Sequence, residues 1–199
     1  VWHRGAVDAD GKTGDGAGIH VQIPVRFFYD QIRRKGHEPR QDELVAVGQV
    51  FLPRADFGAQ ETCRSIVESE VLRMGYYIYG WRHVPVEVSC LGEKANATRP
   101  DIEQILISNS KGVDEETFER DLYVIRRRIE KCSGASGVGQ LYMTWLSCHL
   151  IIYKGKMLAE RMAVFYPELI DVRLTSAFAN YHQRYTTNTV QQCWLAKPY

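Results

Sequence analysis

Apolar and polar positions alternate strictly across Ile19-His20-Val21-Gln22-Ile23, the period of a half-buried strand, and Pro24 ends it. Pro24 also suits the start of a helix predicted over Val25 to Arg34, because the first turn needs no N–H donor there. Lys35 to Asp42 is polar and charged and reads as a surface loop. Leu44 to Leu52 is predicted as a strand stopped by Pro53. From Ala59 to Met74, the residues Cys63, Ile66, Val67, Val71 and Met74 recur at helical spacing. Tyr76 to Trp81 and Val84 to Val88 read as successive strands broken by Gly80 and Pro85, and Ile102 to Ile107 as another. The clearest helix starts at the cap residue Asp114, since Phe118, Leu122, Ile125 and Ile129 step by 4, 3 and 4. Arg126-Arg127-Arg128 lies in its second half, where cations suit the dipole, and reads as a solvated face. A glycine-rich break from Gly134 to Gly139 precedes strands across Leu141 to Tyr153, with a turn expected at Lys154-Gly155. Leu158 to Phe165 reads as helical and Ala177 to Tyr185 as extended. Strands and helices mix without a regular βαβ beat, so the class is α+β or layered α/β.

Composition narrows the function classes. A chain of 199 residues fits one domain, and its 45% hydrophobic and 25% charged residues exclude a disordered or fibrous protein. Twenty-five basic against 24 acidic side chains leave a net charge of +1, so no global field draws the molecule to nucleic acid or an anionic membrane. No apolar run approaches the roughly 20 residues that span a bilayer. The five cysteines are scattered without a CxxC pair, which argues against a zinc ribbon and for reduced thiols in a cytoplasmic protein. The start, Val-Trp-His-Arg-Gly, lacks an initiator Met and an apolar signal core, and is read as a sign that the natural product is longer.

The most unusual stretch is Arg4 to Ile19, RGAVDADGKTGDGAGI, with five of the 16 glycines and three aspartates. So many glycines imply positive φ or very close approach to another group. Ala6 to Thr13 satisfies a relaxed phosphate-loop pattern with Ala at the first Gly position. That loop needs a strand before it and a helix after it, yet only five residues precede it and Gly14-Asp15-Gly16-Ala17-Gly18 follows. Asp8 and Asp10 would also repel a phosphate.

The order of segments carries a different reading. His3-Arg4-Gly5-Ala6 and Gly14 to Ile19 come first; Phe51-Leu52-Pro53, Gly80 to Pro85, Arg99 to Gln104, Leu146 to Gly155 and Phe165 to Leu169 follow; His182-Gln183-Arg184-Tyr185-Thr186-Thr187-Asn188-Thr189 closes the series. This ordered set, covering essentially the whole chain, resembles the N-terminal glutamine amidotransferase domain of glutamate synthase large subunits, a class II amidotransferase. The resemblance implies an α+β fold of the N-terminal-nucleophile type, an αββα four-layer sandwich, here an interior piece incomplete at both ends. It implies that the parent hydrolyses glutamine to glutamate and ammonia for reductive amination of 2-oxoglutarate. An N-terminal cysteine thiolate would attack the glutamine amide, with its own α-amino group as base and an Asn-Gly pair as oxyanion hole.

Carried over residue by residue, the resemblance implies that Arg184 grips the α-carboxylate of glutamine. A planar guanidinium suits that task because it can make two parallel charge-assisted bonds. Tyr185, Thr187 and Asn188 would line the same pocket, and Arg4 would support the nucleophile. His3 and His182 are expected in hydrogen-bonded structural roles, and no ligand spacing supports a metal site from His3, His20 and His182. No cofactor is expected in this chain; FMN and an iron–sulfur cluster are expected in the full-length enzyme. The implied partners are glutamine, the remaining domains of the large subunit and a small electron-donor subunit, with no nucleic acid and no membrane.

The pattern also departs from the family. Residue 1 is Val, none of the five cysteines falls at the nucleophile position, and the His-Asn-Gly-Glu segment does not appear before Tyr199. The tail Val190-Gln191-Gln192-Cys193-Trp194 differs from the family's usual sequence there. The chain alone is therefore expected to be inactive. It is also expected to be poorly stable, because an incomplete sandwich exposes strand edges. The alternative is a divergent relative that keeps the fold as a non-catalytic binding module.

Overall fold

The computed structural model describes residues 7–137 and 141–184 as a mixture of helices and two sheets, an α+β arrangement. In chain order the elements are β1 (Ala17–Gln22), α1 (Val25–Arg34), β2 (Val45–Leu52), α2 (Phe57–Arg73), β3 (Tyr77–His83), α3 (Glu93–Ala97), β4 (Asp101–Ser108), α4 (Glu115–Ser136), β5 (Tyr142–Ser147), β6 (Leu150–Gly155), α5 (Met162–Phe165) and β7 (Ala179–Gln183). The chain divides into two compact units, one drawn from residues 23–83 and 101–151, the other from the described parts of 1–22, 84–100 and 152–199. Among the described residues, no helix is long and apolar enough to cross a membrane.

The first of these units is built on an antiparallel sheet in the order β3-β4-β2-β5. Strand β2 is buried at every position, as expected of a central strand covered on both faces. Its Gly48 is required by close packing: a Cβ there would stand 2.8 Å from Ile105 and 2.9 Å from Leu146. Helices α2 and α4 supply Cys63, Val67, Val71, Phe118, Leu122, Ile125 and Ile129 to a core shared with Ala46, Val50, Ile105, Ile107 and Met143. Both helices are capped by aspartate. Asp56 Oδ1 accepts the Ala59 N–H and Asp114 Oδ1 accepts the Thr117 N–H, each at 2.9 Å.

Four expectations are corrected here. Tyr76 to Val88 does not hold two strands. β3 runs uninterrupted through Gly80, whose φ of 133° absorbs a register shift against β4. Val84–Val88 is not extended ladder; Pro85 offers no N–H, and Val88–Cys90 forms a 3-10 turn. The glycine-rich break starts late, because α4 continues through Gly134 to Ser136 and ends at Gly137 in the left-handed region, φ 71°. The β5–β6 turn falls at Cys148-His149, not Lys154-Gly155, and Ser147 Oγ fixes it by accepting the N–H groups of His149 (2.9 Å) and Leu150 (3.2 Å). Lys154 is wholly buried within β6. Finally, the basic run is not uniformly solvated: Arg126 stacks over Trp145, 4.6 Å from its ring centroid, while Arg127 and Arg128 are exposed.

In the second unit, β1 lies between β6 and β7. Strands β1 and β7 are antiparallel, with Ala17 opposite Gln183 and Val21 opposite Ala179. Tyr153, Phe165 and Tyr166 pack ring against ring at 4.7 to 5.1 Å. The two tyrosine hydroxyls are satisfied: Tyr153 donates to Glu168 Oε1 at 2.6 Å and Tyr166 to the Lys154 carbonyl at 2.9 Å.

One buried ion pair dominates the polar energetics of the four-stranded unit. Glu103, 2% exposed, receives Arg64 Nη2 at 2.6 Å and Nε at 2.9 Å, a bidentate clamp from α2 onto β4. Arg64→Ala should lower stability by about 3–5 kcal/mol, because it strands a buried carboxylate. The double replacement Arg64→Met with Glu103→Leu should recover most of that loss in denaturant unfolding. Equal midpoints for the chain and Arg64→Ala would contradict this.

Candidate active site

The glycine-rich segment closes on itself before it becomes a strand. Val7 bridges to Gly14, the Asp8 N–H donates to the Thr13 carbonyl at 2.8 Å, and Gly11 turns the chain at φ 68°. Asp10 fills the turn. Its Oδ1 accepts the N–H groups of Lys12 (2.9 Å) and Thr13 (2.7 Å), and its Oδ2 accepts the Thr13 hydroxyl at 2.5 Å. The Thr13 hydroxyl and these amides hold the Asp10 carboxyl down to about 2. A carboxylate of the chain itself thus takes the amides that a phosphate loop would offer, and a strand follows instead of a helix. The phosphate-loop pattern has no matching structure.

The turn is tied to α3. Lys94 Nζ lies 2.8 Å from Asp8 Oδ2, and Gly92 faces Asp10 so closely that a Cβ would fall 2.0 Å from its Oδ2. Gly14 is equally constrained, since a Cβ would stand 2.8 Å from the Met157 carbonyl. Beyond it Gly16 adopts φ 129° and the chain enters β1.

Pairing of β1 with β7 brings this segment against the distant His182-Gln183-Arg184 sequence. Gly18 stands opposite His182, and the Arg184 N–H donates to the Gly16 carbonyl at 2.8 Å, adding one rung past the strand ends. A hollow of about 290 Å³ is lined here by Ala17, Gly18, Ile19, Ala159, Met162, Tyr181, His182 and Gln183. Gln183 carries a buried Oε1 that no described residue reaches with a hydrogen bond. Of the predicted site residues, Arg184 therefore sits half-buried beside the glycine segment. Arg4, Tyr185, Thr187 and Asn188 lie outside the described residues. Gln183 and Met162 were not singled out from sequence: a glutamine inside a polar motif and a methionine in an apolar run give no signal until the fold sets them around a cavity.

Three of the described thiols, Cys63, Cys90 and Cys148, are poor nucleophiles. Burial pushes Cys63 up to about 11, and burial, reinforced by neighbouring carboxylates, pushes Cys90 and Cys148 up as well. Each is therefore protonated near neutrality.

The chain matches the family of class II glutamine amidotransferases over residues 1–199. The chain belongs to that family. It is 60% identical to the glutamate synthase [NADPH] large chain of Azospirillum brasilense, over 100% of this chain and 13% of that protein. It is 38% identical to the chloroplastic ferredoxin-dependent glutamate synthase of Spinacia oleracea, over 98% of this chain and 12% of that one. Identity is also 38% to the glutamate synthase [NADPH] large chain of Bacillus subtilis, over 98% of this chain and 13% of that protein. The chain thus spans about one eighth of the length of these relatives.

The Asp10 turn yields a signed pH dependence. A carboxyl held below its ordinary value of 3.8 contributes stability that is present above about pH 4 and lost as the pH falls toward 2. Carbon-detected titration of Asp10 should show a midpoint near 2, accompanied by a shift of the Thr13 amide. Asp10→Asn should abolish the accompanying Thr13 shift. Titration of Asp10 at an ordinary value near 4 would contradict the closed turn. Gly92→Ala should displace the same carboxylate and cost about 1–3 kcal/mol of stability.

Proposed function

We propose that this chain is part of the glutamine-hydrolysing domain of a glutamate synthase large subunit. In this reading residues 1–199 form one partial class II amidotransferase domain within an N-terminal-nucleophile four-layer sandwich. The observation that carries it is the β1–β7 ladder, whose last rung joins Arg184 to Gly16. Glutamine binds beside that rung, with the Arg184 guanidinium paired to its α-carboxylate through two charge-assisted hydrogen bonds. Gln183 supports the reading, because a buried acceptor without a partner costs about 1–3 kcal/mol and favours a ligand donor such as an α-ammonium. Gly16 and Gly18 leave β1 bare enough for close substrate approach. Tyr185, Thr187 and Asn188 complete the pocket and Arg4 braces the nucleophile, both on the strength of the family resemblance.

The chemistry assigned to the whole domain is thiolate attack on the side-chain amide. Ammonia leaves, and water then hydrolyses the glutamyl thioester to glutamate. In the larger protein the ammonia serves reductive amination of 2-oxoglutarate. Cys63, Cys90 and Cys148 do not supply the nucleophile, since burial keeps their thiols protonated. The residues described here do not fit an iron–sulfur cluster, which needs convergent cysteine thiolates; no group of metal-ligating side chains among them holds more than one cysteine. The proposal therefore assigns FMN and the cluster to other parts of the enzyme, as it does the electron-donor partner.

In the large subunit that contains this segment, Arg184→Lys should raise KM for glutamine about tenfold or more, because a point charge replaces a fork. Glutamate synthesis driven by ammonium should be unchanged. An unaltered KM for glutamine, or an equal loss with ammonium, would contradict the assigned role.

A further inference from the structure

Helix α4 and the β5–β6 turn bring together chemistry that glutamine hydrolysis does not use. Glu115 and Glu119 are four residues apart on α4 and share a face. The turn held by Ser147 sets Cys148 and His149 against them. Cys148 donates to Glu119 Oε2 through both its N–H (2.8 Å) and its thiol (3.2 Å), and His149 Nδ1 lies 3.0 Å from Glu115 Oε1. The donor atoms of Glu119, Cys148 and His149 all lie within 4.8 Å of one another. An open hollow of about 570 Å³, lined by Glu115, Glu116, Glu119, Arg120, Tyr123 and His149, connects the group to solvent.

We propose that Glu119, Cys148 and His149 form a binding site for a zinc-class divalent cation, with Glu115 able to complete the shell. Sulfur, imidazole nitrogen and carboxylate oxygen are the donor set of a borderline-soft ion, whereas magnesium or calcium would call for oxygen alone. A tetrahedral ion with bonds of about 2.0–2.3 Å needs its donors roughly 3.3–3.8 Å apart. The donor atoms of the three, all within 4.8 Å of one another, stand no more than about 1.5 Å beyond that spacing. Glu119 and Cys148 are half-buried, so the ion would be partly shielded from water, while the His149 side chain, 43% exposed, provides entry. Binding forms an S–metal bond as the Cys148 S–H proton leaves to solvent, with no change in oxidation state. The thiol is otherwise held protonated by burial and by Glu119, and the positive ion inverts that preference. Arg120 opposes the ion across the hollow and Glu116 favours it. The comparable trio His83, Asp101 and Glu103 is a weaker candidate, because Glu103 already neutralises Arg64.

The test is titration of the chelator-treated chain with cobalt(II), followed by displacement with zinc. One cobalt per chain with a near-ultraviolet thiolate-to-cobalt charge-transfer band is expected, and zinc should remove the band. Cys148→Ser should abolish it, while His149→Ala and Glu119→Gln should each weaken binding tenfold or more with unchanged far-ultraviolet circular dichroism. His149 is exposed, so its replacement keeps the test valid even if the Cys148 variant fails to fold. No band in the unsubstituted chain would overturn the proposal. So would a band that persists in Cys148→Ser, or affinity within twofold of the original in both other variants.

Discussion

The antiparallel pairing that ends in a backbone hydrogen bond from the Arg184 N–H to the Gly16 carbonyl joins the two segments on which the functional reading rests. That last bond extends the β1–β7 ladder by one rung, so the backbone position of Arg184 follows strand register. Register in an antiparallel pair is unforgiving, because a one-residue slip sends every side chain to the opposite face. The constraint at the other end is steric. Gly14 sits against the Met157 backbone with no room for a Cβ, and Gly16 turns through a φ that side chains disfavour. Together they leave the glycine segment one path into β1.

Electrostatics hold the approach to that path. Asp10 does for its turn what a bound anion does for a phosphate loop: it collects the inward-facing amides of Lys12 and Thr13. The same residue types that suggested a nucleotide site therefore argue against one. In the four-stranded unit the corresponding burden falls on Arg64 and Glu103, where a bidentate geometry compensates a carboxylate that burial would otherwise penalise.

Much of the element pattern was legible in the sequence. Pro24 and the alternation before it placed α1 at Val25–Arg34, and the 4-3-4 spacing after Asp114 identified α4 with its cap. The failures share a cause. Gly80, Gly134, and Lys154-Gly155 were read as breaks from local preference, yet tertiary context absorbed them as a bulge, a helical residue and a buried strand end. Arg126 looked solvated until Trp145 arrived beneath it from another strand. For the site, only the ordered resemblance singled out Arg184, since nothing local distinguishes a carboxylate clamp from a surface arginine. Its pairing with Gly16, and the unpartnered Gln183 oxygen in the adjoining hollow, depend on contacts between opposite ends of the chain. No periodicity reports such contacts. The Cys148-His149 turn was hidden for the same reason: a helix and a hairpin had to meet before four ordinary side chains became a cluster.

The proposed reading comes down to one physical statement, that Arg184 pairs with the α-carboxylate of glutamine. The most direct measurement compares kcat/KM for L-glutamine and for its α-carboxamide analogue, in the large subunit containing this segment and in its Arg184→Ala variant. The unsubstituted enzyme should prefer glutamine by about a hundredfold, the worth of a lost charge-assisted pair, and the variant should treat both substrates alike. A preference that survives Arg184→Ala undiminished would contradict the account.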